Sequence, residues 1–395
     1  MTTQDIIRLE DTFQIPTYKK FPLALVRGEG RFVWDADGKR YLDFYGGHCV
    51  TLLGHCPQPV VKAVQEQVAN LIFYSNVAYS PVRAHAARRL AEMAPKGLGH
   101  VFFCNSGTEA NETALKLARK HTGKSGIVAM EGDFHGRTLG SLATTWTQKY
   151  RAPYADVLPE THFVPFGDID ALKAVFEQND NIAAVLIEPI QSMAGITTAP
   201  DTYFQAMRTL CDEHGVVLIF DEVQTGVGRT GTFSIAESFG MTPDLITLAK
   251  SLGSGVPVGA VLVADAIADG VEYGDQGTTF GGGMLAMAAV TATLEMIQKE
   301  QLMARAPVIF EQIMDAVGAQ VQAVRGKGCL IGLELDGPAA PVLTALREAG
   351  VLAGSSGEPN VIRLMPPLTT TDDEIMLFGN CFAEALRQAT SEQAA

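Results

Sequence analysis

The sequence predicts an α/β protein in which a mainly parallel sheet lies between layers of helices, with a smaller α+β unit beside it. Between residues 58 and 290, short runs rich in Val, Ile and Ala at 101–104, 126–130, 183–187, 216–220 and 260–263 alternate with longer amphipathic stretches. Continuous apolar runs of strand length mark strands buried on both faces, and helical segments between them supply the cover. After about residue 291 the pattern changes. Strand-like segments at 325–335 and 360–364 mix there with helical ones at 341–350 and 371–387. Length agrees: 395 residues, 47% of them hydrophobic and 19% charged, can bury a large core and fit about two to three domains.

Each element follows from its residues. Arg31-Phe-Val-Trp34 and Lys39-Arg-Tyr-Leu-Asp-Phe44, joined by Asp35-Ala-Asp-Gly38, read as a hairpin of two short strands. The balance of 30 Lys and Arg against 44 Asp and Glu, a formal charge of −14, opposes a phosphate backbone, so no nucleic-acid partner is expected. Six cysteines form no Cys-x-x-Cys pair and mostly sit in apolar runs, as buried reduced thiols do. The first residues lack a basic region followed by an apolar stretch, and no run of about 18 apolar residues occurs. A cytoplasmic protein with no membrane partner and no metal site is expected. Glycine is in excess, at 39 residues, close to a tenth of the chain where about 7% is usual.

Two familiar signatures lack their context. Gly226-Val-Gly-Arg-Thr-Gly231 matches a dinucleotide fingerprint, but residues 221–225 separate it from the strand and no helix opens after it. Thr122-Gly-Lys-Ser125 resembles the end of a phosphate-binding loop, yet Ala118 stands at the required glycine position, so a helix-ending turn is the better reading.

Three other places carry chemistry. An apolar strand meets Ser106-Gly-Thr-Glu109 where a helix begins. Ser106 and Glu109 fit a capping box, which alone explains them; the competing reading is a phosphate site made by the free N–H groups, Gly107 and the Ser106 and Thr108 hydroxyls. The run 216–220 ends in Asp221-Glu222, at the carboxyl end of a strand, where α/β sheets bind ligands and where an acid also suits capping. Lys250 follows the apolar run 245–249 and precedes Ser251-Leu-Gly-Ser-Gly255. It is either a surface lysine at a strand exit or a desolvated amine able to form a Schiff base. A phosphate cup, a strand-end acid and an apolar-flanked lysine together are what pyridoxal phosphate needs: an anchored phosphate, a ring nitrogen facing a carboxylate, and an aldehyde held by an amine.

Asn105-Ser-Gly-Thr-Glu-Ala-Asn111, Phe134-His-Gly-Arg137, Phe220-Asp-Glu-Val-Gln-Thr-Gly226, Leu248-Ala-Lys-Ser-Leu-Gly253 and Gly277-Thr-Thr-Phe-Gly-Gly282 resemble the ordered motifs of class III pyridoxal-phosphate aminotransferases, across residues 28–368. Tyr41-Leu-Asp-Phe-Tyr-Gly-Gly-His48, Phe73-Tyr-Ser-Asn76 and Arg363-Leu-Met-Pro-Pro-Leu368 are most similar to the acetylornithine and succinylornithine members. The resemblance implies the fold-type-I architecture of pyridoxal-phosphate-dependent transferases. Residues 58–290 would form the large cofactor domain, and the segment 1–57 would join 291–395 in the small one.

By the same resemblance, Lys250 would hold the cofactor's aldehyde and shuttle the proton, and Asp221 would pair with the pyridinium nitrogen. Gln224 would lie near the phenolic oxygen, Phe134 on a ring face, and Ser106, Gly107 and Thr108 at the phosphate. Thr279 would reach the phosphate across a homodimer interface, so that active sites are shared, while Thr278 and Tyr18 would lie beside the substrate. Arg137 and Arg363 would clamp carboxylates with their bidentate forks. Glu188 would organise the surroundings, His135 would pack, and Glu222 would hold neighbouring loops. The implied reaction is a ping-pong transfer of the terminal amine of N-acetylornithine or succinylornithine to 2-oxoglutarate. Sibling enzymes acting on 4-aminobutyrate, ornithine or β-amino acids share the cofactor motifs.

Two departures stand out. The chain has Gln191-Ser-Met-Ala194 where the family usually reads Gln-Gly-Glu-Gly, so Met193 replaces an acid that pairs with the equivalent of Arg363 in ornithine-type members. Arg363 is therefore expected to stay open to a carboxylate. Gly283-Met284 stands where Asn-Pro is usual, near the expected dimer contact.

Overall fold

The structure, a computed structural model, describes residues 1–394, with side chains for residues 1–390. Its strands in chain order are β1 (Leu25–Glu29), β2 (Phe32–Asp35), β3 (Arg40–Asp43), β4 (His100–Cys104), β5 (Gly126–Met130), β6 (Thr161–Val164), β7 (Ile182–Ile187), β8 (Val217–Asp221), β9 (Leu245–Leu248), β10 (Gly259–Val263), β11 (Ala323–Lys327), β12 (Leu330–Glu334), β13 (Val351–Leu352), β14 (Gly354–Ser355) and β15 (Val361–Leu364). The central sheet has the order β4-β10-β9-β8-β7-β5-β6. Strands β9, β8, β7, β5 and β6 pair in parallel, and β10 runs antiparallel to β4 and β9. The expected mainly parallel sheet is present, with β5 matching its run residue for residue. Strand β6 was not anticipated, because Thr-His-Phe-Val at a sheet edge does not read as a two-sided apolar run.

Side chains of the strands alternate between two cores. Val128, Val185, Leu218 and Ile246 face one, while Ile127, Leu186, Ile219 and Leu245 face the other. All eight are completely buried, at roughly 1.5–3 kcal/mol of transfer free energy each. The helix Gly107–Thr122 covers the second core with Ala110, Ala114, Leu115 and Ala118, whose spacing puts them on one helical face. Phe204 and Met207 of the helix Asp201–His214 close the first. Gly123, at φ +68°, ends the helix Gly107–Thr122, so Thr122-Gly-Lys-Ser125 is a helix end as its sequence indicates.

Two four-stranded sheets flank this layer, ordered β1-β2-β3-β13 and β11-β12-β15-β14. The expected hairpin is β2–β3. Its turn is held by Asp35, whose Oδ1 accepts the N–H groups of Asp37 (3.1 Å) and Lys39 (2.8 Å). Val351 of β13 pairs in parallel with Leu42 of β3, so the C-terminal region completes the N-terminal sheet. Among the described residues no helix is long and apolar enough to cross a membrane, and all six cysteines are unpaired.

Candidate active site

Strands β4, β8 and β9 run in the same direction, and their carboxyl ends carry Ser106, Asp221 and Lys250 to one edge of the sheet. Beyond that edge, where open α/β sheets bind ligands, lies a cavity of about 410 Å³. It is lined by Ser106, Gly107, Thr108, Phe134, Arg137, Asp221, Gln224 and Lys250, all expected from the sequence. Ser106 Oγ accepts the Glu109 N–H at 3.3 Å, and the Glu109 carboxylate returns to the N–H of Asn105, one residue short of a full capping box. A Cβ on Gly107 would lie 2.9 Å from Val223 Cγ2, and one on Gly136, at φ +141°, would lie 2.3 Å from Thr108 Oγ1. Only glycine permits these approaches.

Lys250 leaves β9 at φ +41°, a left-handed conformation that costs an L residue about 1–2 kcal/mol. Burial pushes its ammonium below the usual range; Cys49, Asp221 and Glu188 oppose this, and Arg363 adds to it. A cation disfavoured in this way is available as a neutral nucleophile.

Behind Asp221 lies a buried polar network. Asp221 Oδ2 accepts from Asn111 Nδ2 at 2.7 Å and from His135 Nδ1 at 2.8 Å, and its Oδ1 accepts the Val223 N–H at 3.1 Å. The other ring nitrogen, His135 Nε2, lies 3.2 Å from Asp133 Oδ2, so both nitrogens face carboxylates, an arrangement that favours a doubly protonated ring. Burial opposes that charge, but Asp133 and Asp221 outweigh it and raise His135 to about 10. His135 is buried, as expected of a packing residue, and it also bridges two acids. Glu188 accepts the Phe134 N–H at 2.7 Å and is pushed up to about 8 by burial, then by Asp133 and Asp221. Glu222 accepts from Thr225 Oγ1 (3.2 Å), the Ile235 N–H (2.9 Å) and Ser234 Oγ, tying down the loop that follows β8.

Arg363, on β15, is 1% exposed. Its Nε donates to the Ser355 carbonyl at 2.6 Å and its Nη1 to Ser192 Oγ at 3.0 Å, both neutral acceptors. Arg363 is not among the residues lining the cavity, whereas Arg137 lines it, is exposed, and stacks its guanidinium 3.4 Å from the centre of the Tyr150 ring. Thr278 Oγ1 accepts from Asn105 Nδ2 at 3.2 Å, beside the cradle. Thr279 and Tyr18 are both exposed and do not line the cavity of a single chain. Gly283, the residue before the helix Met284–Lys299, supplies no side-chain cap.

The family model for class III aminotransferases matches residues 13–386. The chain belongs to the class III aminotransferases. Among curated relatives, acetylornithine aminotransferase of Methanopyrus kandleri is 45% identical over 97% of this chain and 99% of its own length. That of Bacillus subtilis is 42% identical over 91% of this chain and 94% of its own. Among solved structures, acetylornithine aminotransferase from Elizabethkingia anophelis superposes with a TM-score of 0.85 at 31% identity, covering 98% of this chain and 99% of that one. Ornithine aminotransferase from Toxoplasma gondii, whose active site holds pyridoxal phosphate at partial occupancy, reaches 0.94 at 29% identity, covering 100% and 96%. This class III aminotransferase is therefore a pyridoxal-phosphate-dependent transaminase of the fold-type-I architecture.

Its cavity fits that cofactor. The cradle that a Cβ on Gly107 or Gly136 would fill stands at a helix N-terminus, the arrangement that holds a phosphate, and Asp221, Phe134 and Lys250 offer a carboxylate, a ring face and an amine. Sequence reasoning assigned no role to Asn111, Asp133 or Ser192. Asn111 and Ser192 lie within recognisable motifs, but nothing local to those motifs marks them as partners of Asp221 and Arg363.

Proposed function

We propose that this aminotransferase moves the terminal amino group of N-acetylornithine or succinylornithine to 2-oxoglutarate, giving the semialdehyde and glutamate. The observation that carries this reading is the near-complete match to acetylornithine aminotransferases at 40–45% identity. In the proposed site Ser106, Gly107 and Thr108 hold the phosphate, Asp221 faces the pyridine nitrogen, Gln224 the phenolic oxygen, and Phe134 a ring face. Bound there by Lys250, pyridoxal phosphate supplies an electron sink that lowers the energy of a carbanion at the amine-bearing carbon. Once the donor's amine has displaced it from the aldehyde, the freed Lys250 Nζ would take the proton from that carbon, a task suited to an amine whose cationic form burial disfavours. Buried Arg363 binds the 2-oxoglutarate carboxylate next to the reacting carbon, and Arg137, at the exposed side, binds the far one. A donor that reacts at its terminal amine directs its own carboxylate to Arg137.

The neutral surroundings of Arg363 favour a second reading, a sibling transaminase whose donor brings its own carboxylate to that arginine, such as alanine. A donor panel with 2-oxoglutarate separates them. Turnover of acetylornithine or succinylornithine at least tenfold above ornithine, 4-aminobutyrate and alanine supports the first reading, and preference for alanine overturns it.

A homodimer with shared sites belongs to the same proposal. Exposed Phe73, Tyr74, Tyr79 and Phe280 suit burial against a second copy, and Thr279 and Tyr18 would then complete the substrate and phosphate contacts from across the interface. Light scattering of the purified protein tests it, a monomer being the refuting result. The division into 1–57 with 291–395 and 58–290 is supported by the pairing of β13 with β3. Six unpaired cysteines support a cytoplasmic location.

A further inference from the structure

Two hydrogen bonds link Arg363 to Gln224 through Ser192. Arg363 Nη1 lies 3.0 Å from Ser192 Oγ, which in turn lies 3.0 Å from Gln224 Oε1. A guanidinium has no acceptor, so the serine oxygen accepts from it. The hydroxyl proton is free to donate onward, and in the structure it meets the Gln224 amide oxygen, Oε1. Ser192 is completely buried, which keeps water from competing for that proton. The Gln224 NH2 is thereby turned away from Ser192, and Gln224 lines the cavity.

We infer that Ser192 is a positioning residue: anchored by Arg363, it sets the polarity of the Gln224 amide so that an N–H donor faces the cofactor's phenolic oxygen. This rests on the proposed placement of Gln224 beside that oxygen. Without the serine hydroxyl nothing holds the amide in one sense, and half of its orientations present a carbonyl to an oxygen that carries negative charge. The same serine gives a neutral acceptor to a buried arginine, so the inner carboxylate site stays open while the amide is set.

Donation to a phenolate favours its charged form, so losing the donor raises the pH at which the holoenzyme's visible absorbance band titrates. The experiment compares native holoenzyme with Ser192→Ala, Ser192→Gly and Gln224→Leu in a spectrophotometric pH titration. Calorimetry of glutarate binding, which reports on Arg363 without turnover, runs alongside. The titration midpoint is expected to rise by about half a pH unit or more in both serine variants and in Gln224→Leu. Glutarate affinity should stay within about threefold of native in the serine variants, because Ser355 still holds Arg363 Nε. An unchanged midpoint in Ser192→Ala and Ser192→Gly, with a raised one in Gln224→Leu, overturns the role of Ser192. An unchanged midpoint in Gln224→Leu as well overturns the placement of Gln224 on which it rests.

Discussion

Replacing His135 with Gln tests the buried network behind Asp221. The imidazolium is raised from 6.5 to about 10 because two carboxylates outweigh its burial, a shift worth up to about 5 kcal/mol. Gln retains a donor but no charge, and it leaves Asp133 and Asp221 without their buried cation, so the expected loss is about 3–5 kcal/mol. For a chain of this size that corresponds to a fall in Tm of about 4–6 °C. The pH dependence has a definite sign. Below about pH 6.5 the histidine is protonated whether folded or unfolded and its full stabilisation is present; as pH rises, the unfolded chain releases the proton first and the stabilisation fades, disappearing above about pH 10. Thermal unfolding of native and His135→Gln protein at pH 6, 8 and 10 should therefore show a gap that is widest at pH 6 and nearly closed at pH 10. A gap below 1 °C at pH 6, or one constant across the range, refutes the assignment of His135 as a bridging cation.

Borohydride reduction of the holoenzyme followed by peptide mapping should place the cofactor on Lys250, and label on another lysine contradicts the proposed site. Gly136→Ala forces a Cβ to within 2.3 Å of Thr108 Oγ1 at a φ of +141°. Cofactor affinity, followed by fluorescence on reconstitution of the apoprotein, should drop at least tenfold, and native-like affinity would show that the cradle does not depend on this glycine. Met193→Glu offers Arg363 an anionic competitor. It should raise the KM for 2-oxoglutarate about tenfold and shift preference toward terminal-amine donors, whereas unchanged steady-state constants would mean that the open arginine does not set donor choice.

What could be read without coordinates was local. An apolar run fixes a strand by its own residues, which is why 126–130 coincides with β5 and why Ser106, Asp221 and Lys250 could be placed at strand exits. The polar edge strand β6 escaped because its residues lack the two-sided apolar pattern that a central strand requires. The supporting polar groups escaped for a different reason. His135 meets Asp221 across 86 residues of chain and Ser192 meets Arg363 across 171, and no spacing rule reaches that far. Composition pointed to the cradle only indirectly, through a glycine excess that includes Gly107 and Gly136, where neighbouring side chains leave no room for a Cβ.

The departure at Gln191-Ser-Met-Ala194 shows how the two kinds of information combine. From the sequence, the loss of an acid at Met193 is the visible change, and it leaves Arg363 without an anionic partner. In the fold, the neighbouring hydroxyl of Ser192 accepts from one arm of the arginine and donates a hydrogen bond to Gln224 Oε1. Desolvation pushes this buried guanidinium below the usual arginine range, although Tyr45, Cys49 and Glu188 oppose the shift, and the two hydrogen bonds to a carbonyl and a hydroxyl bring it no full negative charge. Under the proposed function, binding of a dicarboxylate is therefore the event that relieves this site, and Ser192, the neighbour of the Met193 that replaces the acid, is the residue that ties Arg363 to the Gln224 amide.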